Sequence, residues 1–148
     1  MLLALTALRQ LGQVAAGQMA RLLGDKDEDV RGAAAAALGK LGKHAKTAGG
    51  TMKGLLGDRN ERVRSIALRA LGGLEREAGA HSGAMAALLG DSDEFVRLVA
   101  AVKALGRVGK QAAPHAAAIT ELLGDQDGGV RVAASVALRK IGLGINTL

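Results

Sequence analysis

Leu22-Leu23-Gly24-Asp25-Lys26-Asp27-Glu28-Asp29-Val30-Arg31 opens a pattern to which the chain returns three more times. The Leu-Leu-Gly-Asp tetrad stands again at 55–58, 88–91 and 122–125, at spacings of 33, 33 and 34 residues. Val-Arg follows each tetrad, as Val30-Arg31, Val63-Arg64, Val96-Arg97 and Val130-Arg131. An apolar pair closes each unit: Leu38 and Leu41, Leu71 and Leu74, Leu105 and Val108, Leu138 and Ile141. Met19, Met52, Met85 and Ile119 stand three residues before each Leu-Leu. One period shared by so many positions marks an array of internal repeats.

Each unit reads as two helices. The second carries Val130, Ala133, Ala134, Ala137, Leu138 and Ile141 in one apolar stripe at helical period, matched by Val63 to Leu74 and Val30 to Leu41. Asp27, Asn60, Asp93 and Asp127 stand at its start, where a short side-chain oxygen can accept free first-turn amides. The first helix is shorter, about ten residues, and ends at Leu-Leu, with the following Gly as its exit. Pro114 suits a first turn. Gly49, Gly50 and Gly54 weaken the first helix of the second unit by roughly 1 kcal/mol each relative to Ala. Arg97 to Leu105 is one residue longer than the same interval elsewhere. An inserted residue turns the later stripe by about 100° unless the helix absorbs it, which predicts a π-bulge or kink near Ala100-Ala101.

Composition agrees with stacked thin helices. The 148 residues include 22 glycines, one aromatic (Phe95) and one proline. The core must therefore be Leu, Val, Ile, Met and Ala. Hydrophobic residues at 49% are too many for a disordered chain. Having no cysteine excludes a disulfide scaffold, a thiolate metal site and a cysteine nucleophile, and leaves the redox compartment open. No apolar run approaches the ~20 residues of a membrane helix. Met1 to Leu8 lacks the basic start of a signal peptide.

Leu-Leu-x-Asp-x-Asp-x-x-Val-Arg-x-x-Ala followed by Ala-Leu-Gly-x-Leu-Gly resembles HEAT repeats, in particular the short type of phycobilin-lyase-related proteins. The resemblance implies an all-α, right-handed α-solenoid of about four to five antiparallel helix pairs. It also implies second helices lining a concave, partner-binding surface. It further suggests that Asp25, Asp58, Asp91 and Asp125 form a structural ladder between units with Arg31, Arg64, Arg97 and Arg131. An arginine fork can hold a carboxylate and turn carbonyls together. The register gives one domain over 1–148: a partial unit at 1–12, then units at about 13–42, 43–75, 76–109 and 110–148. Both ends read as uncapped, since the chain opens midway through a second helix, so a fragment or a subunit covered by partners is expected.

Motifs for chemistry are weak. Asp25 to Asp29 resembles the start of a calcium loop, but Val30 and Ala36 replace the Gly and Glu that such a loop needs. His44, His81 and His115 form no His-Glu pair and no paired-histidine helix motif. Ser65, Ser82, Ser92 and Ser135 lack a nucleophile-elbow context, and Glu75 with Glu77 has no supporting group. No metal or cofactor and no catalytic residue is expected.

The net charge is +6, and its placement matters more than its sum. Most acids gather in the turns within units. Bases gather towards the other end of the second helices, an arrangement that favours the helix dipoles. Candidate partner contacts are Phe95, Lys40, Lys43, Arg69, Lys103, Arg107, Lys110, Arg139 and Lys140. These features give a non-catalytic scaffold or assembly subunit that binds protein through the concave face and turn rims. The alternatives are a nucleic-acid-binding solenoid using the basic rim, or a lyase- or chaperone-type subunit. A single-strand binder would offer aromatic platforms, and the chain has one aromatic. An intracellular soluble or peripheral complex subunit is expected rather than a secreted protein.

Overall fold

The computed structural model describes residues 1–42, 49–74, 81–100 and 113–142. Among them are helices and turns and no strand. In chain order the helices are α1 (Leu2–Leu22), α2 (Glu28–Leu41), α3 (Gly49–Gly54), α4 (Glu61–Gly73), α5 (Ser82–Ala86), α6 (Glu94–Val99), α7 (Ala116–Glu121) and α8 (Gly128–Ile141). The second helices of successive units, α2, α4, α6 and α8, stack on one another in that order. The first helices α1, α3 and α7 pack on their own partners α2, α4 and α8.

The repeated positions build the core. Met52, Met85 and Ile119 are fully buried, as are Leu38, Leu71 and Leu138. Alanines fill the contacts between helices: Ala34, Ala35, Ala67, Ala133, Ala134 and Ala137 are all buried. Small residues let backbones approach. A Cβ at Gly39 would come within 3.0 Å of Ala70 Cα and Cβ, so α2 and α4 touch there nearly backbone to backbone. Each second helix is started by its cap. The side chain of Asp27 accepts from the Asp29 and Val30 amides, and Asn60 accepts from those of Arg62 and Val63. Asp93 and Asp127 accept from Val96 and Val130.

The turns differ from the expected glycine exits. Leu55–Gly57, Ala87–Gly90 and Leu122–Gly124 are 3-10 turns. The amides of Asp58, Asp91 and Asp125 donate back to Leu55, Leu88 and Leu122. A 3-10 turn keeps φ negative, so the Gly of Leu-Leu-Gly needs no left-handed conformation. Positive φ falls instead at Gly42 and Gly142, where second helices end.

That placement explains a second difference. The register suggests a break near residue 12, yet α1 runs unbroken for 21 residues. The position equivalent to Gly42 is Arg9, to which a left-handed exit is costly. Gly12 and Gly17 weaken the helix without stopping it. As a result Leu5 and Leu8, in register with buried Leu38 and half-buried Leu41, are 58% and 63% exposed.

At the site of the inserted residue, the α-helical part of α6 ends at Val99 and Ala100 is π-helical. Ala101 lies outside the described residues.

Candidate functional site: an arginine–aspartate ladder beside an exposed helical face

The Val-Arg arginines leave the first turn of each second helix pointing back across the preceding loop. Arg31 Nη1 donates to the Asp25 and Lys26 carbonyls at 2.9 and 3.1 Å. Its Nε and Nη2 donate to Asp58 Oδ2 and Oδ1 of the next unit at 2.8 and 2.9 Å. Arg64 repeats this on Asp58 and Arg59 carbonyls and on the Asp91 carboxylate, at 2.9 Å for both carboxylate bonds. Arg97 does so on Asp91 and Ser92 carbonyls and on Asp125, at 2.8 and 3.0 Å. Three bidentate rungs thus join four turns. Arg131 holds the Asp125 and Gln126 carbonyls, and among the described residues it meets no carboxylate. The Asp25 carboxylate accepts from the Asp27 amide and, among the described residues, pairs with no arginine.

Each rung makes its carboxyl more acidic. Arg31, helped by the Asn60 amide, holds Asp58 below the ordinary carboxylate value. Burial acts to raise Asp91, but bonds from Arg64 and the Asp93 amide outweigh it, and Asp91 also sits low. Arg97 and the Asp127 amide do the same for Asp125. Among the described residues no buried side-chain polar atom lacks a partner.

Beside the ladder the second helices present an exposed face. A groove of about 280 Å³ runs between α2 and α4, lined by Glu28, Asp29, Gly32, Ala33, Ala36, Asn60, Arg62, Val63 and Ile66. The small side chains of α2 make its width, while a 3.7 Å pair between exposed Arg62 and Asp29 crosses its mouth. Farther along, Phe95 is 48% exposed, with the Arg69 guanidinium 5.5 Å above its ring. Sequence reasoning missed this pair, since residues 26 positions apart meet only once α4 and α6 are stacked. It also missed the groove. The signal for it was the small residues at 32, 33 and 36, of which Ala33 and Ala36 are exposed.

The remaining candidate contacts scatter. Lys40 lies in the last turn of α2, and Arg139 and Lys140 in that of α8, all three exposed. Arg69 leans over Phe95 rather than standing at the helix end. Lys43, Lys103, Arg107 and Lys110 lie outside the described residues, as do His44, Glu75 and Glu77. Among the described residues no cluster of three or more His, Asp or Glu could hold a metal ion. No described helix is long and apolar enough to cross a membrane.

Comparison with known proteins bears on the architecture. The family model of HEAT repeats matches residues 2–71. No curated protein matches the sequence. An engineered protein solved by the Northeast Structural Genomics Consortium is similar at TM-score 0.74 and 24% identity, over 87% of this chain. The chain spans 64% of the length of that protein. The complex of CpcE and CpcF of phycocyanin lyase from Nostoc sp. PCC7120 is similar at TM-score 0.66 and 19% identity. That match covers 88% of this chain and 79% of the other. Residues 2–71 match HEAT repeats, later units carry the same Leu-Leu-Gly-Asp and Val-Arg pattern, and the described residues form an all-α solenoid of stacked helix pairs.

Proposed function

We infer that the chain is a non-catalytic scaffold that binds a protein partner along the exposed face of its second helices. The observation that carries this reading is the groove between α2 and α4, continued by the half-exposed Phe95 under Arg69. A long shallow face with one aromatic anchor suits an extended segment or a partner helix. Aromatic and arginine side chains are the usual centres of binding energy. The acids Glu28 and Asp29 at the groove mouth favour a basic residue at that point of the partner.

A photo-crosslinking side chain placed at 95 tests the reading in extracts of the native source. One protein should be captured from position 95 and not from the exposed Lys53 on α3. Its capture should fall about tenfold with Glu28→Arg. Equal capture from 95 and 53, or none, would refute the reading.

The lyase-type alternative draws support from the likeness to the CpcE–CpcF complex. Uptake of a bilin pigment by the purified chain, seen as an absorbance shift, would establish that role instead.

A further inference from the structure

We propose that the partner segment seated in the α2–α4 groove is an α-helix lying antiparallel to α2 and α4, with acids in its first turn, an aliphatic pair in its middle and bases in its last turn. This rests on the groove as the docking surface and adds the form and polarity of what docks there. The two walls of the groove run in the same direction. Arg31 meets Asp58 near their starts, and Gly39 meets Ala70 farther down. On α2, Asp29, Ala33, Ala36 and Lys40 recur at i, i+4, i+7 and i+11, and all four are exposed. They form one face from the first turn to the last. That face changes character along its length. Glu28 and Asp29 stand at the top, and Ala33 and Ala36 lie in the middle, opposite Val63 and Ile66 of α4. Lys40 stands at the bottom. The rise of an α-helix puts Asp29 and Lys40 about 16 Å apart along its axis. Arg62 is turned towards Asp29 at 3.7 Å, and among the described residues Glu28 pairs with no base.

The middle of the groove selects a helix over an extended chain. Gly32, Ala33, Ala36, Val63 and Ile66 offer no polar side-chain atom, and the backbone around them is bonded within α2 and α4. An extended segment would leave its amides and carbonyls unpaired there, whereas a helix satisfies its own. Ala33 and Ala36 are small enough to let a helix come close. Aliphatic side chains four residues apart on that helix share one face and can cover them, against Ile66. The ends of the groove set the direction. A helix favours acids at its N-terminus and bases at its C-terminus. Laid antiparallel, it brings its basic last turn to Glu28 and Asp29 and its acidic first turn to Lys40, with about three turns between. Laid parallel, it would need bases at its start and acids at its end, against its own dipole.

Helical-bundle proteins displayed on phage and randomised over one helix face provide the probe. They are selected on the full chain and counter-selected on Ala33→Arg, which fills the groove at an exposed position, with circular dichroism to verify folding. Groove-dependent binders should carry acids in the first turn and bases in the last. Exchanging those end charges should weaken binding about tenfold on the wild type and restore it on the double variant Glu28→Arg, Lys40→Glu. A linear peptide library selected alongside should yield groove binders that turn helical on binding. Groove binders that stay extended overturn the helical form. Groove-dependent binders with no charge order, or the reverse order, overturn the polarity and leave the groove standing as a docking surface. Binders that are all indifferent to Ala33→Arg overturn both.

Discussion

Arg31, Arg64 and Arg97 each satisfy two turns at once, with Nη1 on the carbonyls of its own unit and Nε with Nη2 on the carboxylate of the next. Lysine cannot reproduce this, having no planar fork. The consequence for pH follows from the depressed carboxyls Asp58, Asp91 and Asp125. Their folded values lie below the ordinary 3.8, so near that pH the unfolded chain binds more protons than the folded one. The stability they contribute is full above about pH 5 and is lost as pH falls through the folded values. Urea titrations at pH 7 and pH 3 should therefore show a lower midpoint at pH 3, and Asp91→Asn should reduce the difference. An unchanged midpoint would place the rungs outside the energetics of folding.

At the scale of elements, glycine acts in opposite ways at two positions. Gly39 faces Ala70 at a distance that leaves no room for a methyl group. Gly39→Ala should destabilise by about 1–3 kcal/mol, since α2 and α4 must part. Gly50 in α3 meets nothing within 4 Å, and Gly50→Ala should stabilise by about 0.5–1 kcal/mol through helix propensity alone. Thermal melts of the two variants should move in opposite directions. The helix pairs, their caps and their buried stripes were legible because each is a local pattern repeated at a fixed period. The continuity of α1 was legible in principle, in Arg9 standing where Gly42 turns the chain. The 3-10 form of the Leu-Leu turns was not, because a following Gly suits either exit. Arg9→Gly tests the explanation: amide exchange should show loss of protection around residues 8–12, with little change in α2.

At the scale of the molecule, stability in a repeat array is a sum of units and the interfaces between neighbours. The candidate site was partly legible for the same reason. The Asp–Arg ladder was legible through the resemblance to HEAT repeats, whereas Phe95 under Arg69 and the α2–α4 groove arise from stacking that no single unit specifies. The rungs that fix neighbouring turns also fix the relative placement of the second helices, and so shape the exposed face proposed to bind a partner. The central claim is that Arg and Asp of adjacent units act together to hold this array. A double-mutant cycle at the middle rung tests it most directly, by urea unfolding of the wild type, Arg64→Ala, Asp91→Ala and the double variant. The account predicts single losses of about 1.5–3 kcal/mol. Their sum should exceed the loss in the double variant by about 1–3 kcal/mol. Losses that add to within about 0.5 kcal/mol would contradict it.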